Sequence, residues 1–151
     1  MLADLKTLGS RLGVSDRVHW LGNVSDLRSL LQTSDIFALA SVGEAFGLAL
    51  AEAMACGVPV VGSRNGFLVD VVENERTGLL STPLDDKAFA EEIERLVRDA
   101  ARRTEMGRLA VDRARRDFTI DLAVEKTTDI YESPWKEVSP PRTSREPLRR
   151  E

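Results

Sequence analysis

The amino-acid sequence predicts an α/β protein whose parallel sheet is wound with helices on both faces. Two continuous apolar runs of strand length, IFALA (36–40) and VPVVG (58–62), lack the alternation of a half-exposed strand and read as strands covered on both sides. Segments of helical periodicity stand between such runs, and the connections are short. Strands alternating with helices in this way pair in parallel, with crossover helices on either face, a doubly wound arrangement. About four strands are expected and the chain opens on a helix, so the layer reads as incomplete.

In chain order, Leu2, Leu5, Leu8 and Leu12 recur at helical spacing and Gly13 ends the run. VHWLG (18–22) reads as a short strand closed by glycine. Ser25 and Asp26 give a helix start signal for a helix through about Leu31. After IFALA come the loop SVGEAF, a helix from Gly47 to Ala55, a stop at Cys56-Gly57 and the strand VPVVG. A short helix and turn in NGFLVDVVENERTG lead to a strand, GLLS (78–81). The stretch 85–99 is a capped amphipathic helix with Phe89, Ile93, Leu96 and Val97 inward, and two more helices are expected near 102–116 and 121–131. Residues 1–132 form the domain. Residues 133–151 hold four of the six prolines and little apolar content, and their composition predicts a disordered tail.

Bulk composition narrows the function classes. A chain of 151 residues, 42% hydrophobic and 30% charged, suits one domain with one sizeable core. With net charge −4 and a pI near 5.2, it offers no basic surface for nucleic acid. The single cysteine, Cys56, rules out an internal disulfide and suits a reducing, cytoplasmic setting. No run of 18 apolar residues suggests a membrane span, and the first residues lack the apolar centre of a signal peptide.

The chemistry concentrates in GEAFGLALAEAMACGVPVV (43–61). Its helix is apolar nearly all round, yet Glu52 stands in the middle and Glu44 precedes it in a glycine-bearing loop. A carboxylate enclosed by hydrocarbon costs several kcal/mol unless something hydrogen-bonds to it. Ligands of open α/β sheets settle beyond the carboxyl ends of the strands, next to helix N-termini. There the free amides of Phe46, Gly47 and Leu48, with the helix dipole behind them, suit phosphate. Glu52 lies about 7 Å along the axis and leans back toward that end. It suits the paired hydroxyls of a ribose, while Glu44 suits a hydroxyl-bearing group at the far end of the phosphates. A nucleotide-sugar has that layout. The alternatives are a Glu52 reaching solvent and a Glu44 that is a plain loop carboxylate.

SVGEAFGLALAEAMACGVPVVGS resembles the E-x7-E motif of retaining glycosyltransferases of the GT-B fold, the large family 4 type. RVHWLGNVSDLRSLLQTSDIFALAS looks like that family's strand, base-contacting loop and following helix. GFLVDVVENERTGLL resembles the segment after the motif, and 85–131 resembles the terminal helices. The likeness covers about residues 2 to 131 and implies the Rossmann-like C-terminal half of such an enzyme, lacking the opening strands and the first domain. It further implies a hexosyltransferase that moves sugar from a nucleoside diphosphate with retention, the donor being substrate and no metal or other cofactor being held. By the resemblance, Glu44 is the catalytic-site residue contacting the donor sugar and Glu52 binds ribose. The backbone of Phe46, Gly47 and Leu48 holds diphosphate, and Gly22, Asn23 and Val24 line the base. Val69-Asp70 stands where the family often has Pro-Glu, and Ala45 follows Glu44 where glycine is commoner. The implied partners are a nucleotide-sugar donor, an acceptor and a missing N-terminal domain. The isolated chain is expected to bind donor weakly and to transfer little or no sugar. The alternative is a non-catalytic nucleotide-sugar-binding module, or a subunit completed by a separate acceptor-domain chain.

Other residues read as structural. His19 lacks a Ser, Cys or acidic partner at a suggestive spacing. Cys56 packs at a helix C-terminus, and Trp20 covers core or sheet, with base stacking as its alternative. Arg64 reads as a solvated loop residue, with a diphosphate-binding cation as its alternative, and the arginines from Arg102 to Arg116 read as a solvated helix face.

Overall fold

The structure, a computed structural model, describes residues 2–132, so the 133–151 tail lies outside the described residues. Helix α1 spans Leu2–Arg11, a 3-10 turn follows at 15–17, and α2 spans Leu27–Gln32. Strand β1 is Phe37–Leu39, α3 is Leu48–Ala55, β2 is Val60–Ser63, α4 is Leu68–Val71 and β3 is Gly78–Ser81. The long helices α5 (Asp86–Arg98), α6 (Ala100–Asp117) and α7 (Ile120–Glu132) complete the order. Local sequence accounts for the boundaries. Asp26, Asp85 and Asp99 each accept a hydrogen bond from the amide three residues on, capping α2, α5 and α6. Helix α3 is built of strong helix formers and stops where the Gly57 amide reaches Met54 O at 3.0 Å and the Val58 amide reaches Ala53 O at 3.0 Å.

The sheet has three parallel strands in the order β1-β2-β3, with Phe37 opposite Val60 and Val60 opposite Gly78. Alternation along β2 divides the core. Val60, with Leu80 of β3, packs under Leu50 and Met54 of α3 and Leu68 of α4. Val61, with Leu79, packs under Leu96 of α5 and Met106 of α6. Helices therefore cover both faces, as the apolar strand runs require. Gly107 lets α6 approach α3 closely: a methyl group there would collide with the Gly57 carbonyl. Outside the core, Glu75 accepts from Arg95 at 2.9 and 3.0 Å and also from Arg102, and the Arg95 guanidinium holds its carboxyl below the usual value.

Three expectations are corrected. VHWLG is no strand: Val18 is extended, at φ −112° and ψ 118°, but 18–22 joins no ladder among the described residues, because a strand exists only with a neighbour to pair with. Val97 is 61% exposed rather than inward, since the apolar stripe of α5 runs through Phe89, Ile93 and Leu96 and Val97 falls beyond its edge. Trp20 is 42% exposed and covers no sheet; it lines a hollow of about 260 Å³ with Lys6, Gly9 and Ser15.

Candidate functional site

Because the strands are parallel, their carboxyl ends share one side, where the loops 40–47 and 64–67 meet. The second loop holds the first. The Asn65 side-chain amide donates to Ser41 O at 2.6 Å, and a Cβ on Gly66 would lie 3.0 Å from Glu44 O. Gly47, the N-cap of α3, sits at φ 82° against the Leu68 side chain, a left-handed conformation and close contact that favour glycine. No side chain caps this helix, and the amides of Phe46, Gly47 and Leu48 have no acceptor among the described residues. The buried Oδ1 of Asn65 is also without a partner among the described residues.

Glu44 is half-buried, with its Cγ close to Gly47. Phe46 and Leu48 are 42% and 67% exposed and line a groove of about 480 Å³ with Ala51, Phe118, Leu122 and Lys126. Glu52 is exposed, which corrects the expectation of a carboxylate enclosed by hydrocarbon. The apolar side of α3 is Leu50, Ala51, Ala53 and Met54, whereas Leu48, Glu52 and Ala55 form an exposed stripe at helical spacing. Glu52 lines a second groove, of about 310 Å³, with Leu27, Arg28, Leu31 and Gln32 of α2. It remains one turn from the free amides and on the same stripe as Leu48. Gly22 and Asn23 are exposed and Val24 half-buried, in the unpaired stretch before α2. Of the residues singled out in the sequence, Phe46 and Leu48 line the first groove, Glu52 lines the second together with Ala55 and Cys56 at the far end of α3, and Glu44, Gly22, Asn23 and Val24 line neither. Among the described residues no group of three metal-ligating side chains occurs, and no helix is long and apolar enough to cross a membrane.

The family described as Glycosyl transferases group 1 matches residues 1–113. The chain belongs to this family. Among its glycosyltransferase relatives, the N-acetyl-alpha-D-glucosaminyl L-malate synthase of Bacillus anthracis is 36% identical over 124 residues, covering 82% of this chain and 32% of that protein. The D-inositol 3-phosphate glycosyltransferase of Salinispora tropica is 39% identical over 126 residues, covering 82% and 26%. The crystal structure of Anabaena HepE in complex with UDP superposes with a TM-score of 0.84 at 28% identity, covering 87% of this chain and 36% of that one. The chain therefore spans about a quarter to a third of the length of the relatives it matches. The GT-B resemblance and the α/β class expected from the sequence agree with these findings.

Sequence reasoning missed some of the supports around this end of the sheet. The basic run on α6 is not one solvated face. Arg103 donates to Leu96 O at 2.6 Å and Val97 O at 2.9 Å, tying the end of α5. Arg113 is inward, with its side chain 15% exposed. A signal existed, since Arg113 lies on the same helical stripe as Met106 and Ala110, both buried.

Proposed function

We propose that this chain is the donor-binding portion of a retaining hexosyltransferase that uses a nucleoside-diphosphate sugar. One observation carries the reading: the amides of Phe46, Gly47 and Leu48, which have no acceptor among the described residues, lie in the chain between Glu44 and Glu52 at the start of α3. The amides and the dipole of α3 take the diphosphate and stabilise its charge as it leaves. Glu52 accepts from the ribose hydroxyls, and Glu44 accepts from sugar hydroxyls near the reacting carbon. Gly22, Asn23 and Val24 line the base. The donor is the substrate, and the reading calls for no cofactor. Acceptor binding and the cations that clamp the diphosphate belong to a further N-terminal domain, so this chain alone binds donor weakly and transfers little or no sugar. The single cysteine supports a reducing, cytoplasmic setting.

The solved structures of HepE with UDP and with UDP-glucose make UDP the natural probe. Titration calorimetry of the chain is expected to detect UDP, and Glu52→Ala to weaken it about tenfold, the loss of a charge-assisted hydrogen bond. Unchanged affinity overturns the ribose role. In a protein completed with an acceptor-binding half, Glu44→Ala is expected to cut turnover more than UDP affinity. An equal loss in both overturns the sugar-facing role.

A further inference from the structure

Two surfaces set the position of the amide end of α3. One is the 64–68 segment, through Asn65, Gly66 and Leu68; the other is Phe118, whose ring meets Phe46 edge-on at 5.8 Å between centroids and 88° between planes. Both depend on Arg113. Helix α4 has four residues, too few for its last carbonyls to find donors within the helix. The Arg113 guanidinium meets that need: Nε donates to Val71 O at 2.8 Å, one Nη donates to Asp70 O and the other to the Glu73 carboxylate. The same guanidinium lies over the Phe118 ring, its Cζ 5.6 Å from the centroid. A planar fork with separate donors is needed to bind consecutive acceptors while stacking on a ring; a lysine ammonium cannot do both.

We propose that Arg113, acting through Phe118 and α4, is a positioning residue that aims the Phe46–Leu48 amides at their phosphate ligand. It touches no ligand itself. The chain of contacts runs from α6 to Phe118 to Phe46 on one side, and from α4 through Leu68 to Gly47 on the other. The inference rests on the donor-binding reading for its ligand, but its structural half is testable without one.

The experiment compares wild type with Arg113→Lys and Phe118→Leu by amide hydrogen exchange without nucleotide, and by UDP titration. The reporters are the Leu50 and Ala51 amides, both bonded to Gly47 O, and the Val72 amide, bonded to Leu68 O. Exchange is expected to rise about tenfold at all three in Arg113→Lys, and at Leu50 and Ala51 in Phe118→Leu, while Leu79 and Leu80 of β3 stay as in wild type, since local opening need not follow global stability. UDP affinity is expected to fall about tenfold. A uniform rise in exchange, including β3, overturns the proposal and leaves Arg113 a general stabiliser. So do unchanged reporters, or loosened reporters with wild-type UDP affinity. If Arg113→Lys fails to fold, Phe118→Leu decides, because it keeps apolar bulk and removes only the aromatic contacts. A wild-type chain that does not bind UDP overturns the donor reading, whereas the exchange arm still judges the contacts.

Discussion

Helix α1 and helix α5 both carry apolar residues at helical spacing, and they end differently. In α1, Leu2, Leu5 and Leu8 line one side, and Leu12 follows just after the helix, yet the helix has no buried residue. In α5, Leu96 is wholly buried, with Phe89 and Ile93 half-buried against the sheet. The N-terminal stretch as a whole shares the fate of α1: Trp20, Leu21 and Leu27 are all exposed. Periodicity marks a face that favours cover, but burial requires a second surface. Strands β2 and β3 supply that surface for α5, and none of the described elements supplies it for α1. The relatives this chain matches are about three times longer.

If α6 and the sheet form the rigid part, the largest effect belongs to their closest contact. Gly107→Ala is expected to lower unfolding free energy by about 3 kcal/mol in urea titration, because the added methyl meets the backbone carbonyl of Gly57, which cannot rotate away. A near-neutral result breaks the comparison by showing that α6 tolerates displacement. An intermediate effect is expected at the site. Gly47→Ala places a side chain in the left-handed region, at a cost of about 1–2 kcal/mol, and pushes on Leu68, so UDP binding should fall more steeply than stability. The smallest effect is expected in α1. The pair Leu5→Ser and Leu8→Ser should change the unfolding free energy by less than about 0.5 kcal/mol. A larger loss would mean that these leucines already cover something in solution.

The sequence displayed the buried strands, the helix starts at Asp26 and Asp85, and the two glutamates flanking a glycine, because each is a local pattern with a local cause. It misled where the cause lies outside the element. VHWLG has strand composition but no neighbour to pair with. Glu52 sits in an apolar helix, but the four buried residues occupy one side and leave it on the other. Arg113 was hidden for a related reason: its acceptors, Asp70, Val71 and Glu73, lie some 40 residues away, and nothing in the α6 charge pattern announces them. The Glu44 and Glu52 roles remain tied to the two experiments described for them.

Adjacent valines on β2 point in opposite directions, Val60 toward α3 and Val61 toward α5. This strand is in effect a partition wall. Someone wishing to redesign this protein can therefore refit the chamber behind Val61 with new side chains while the front, where α3 is mounted, keeps its original furnishing.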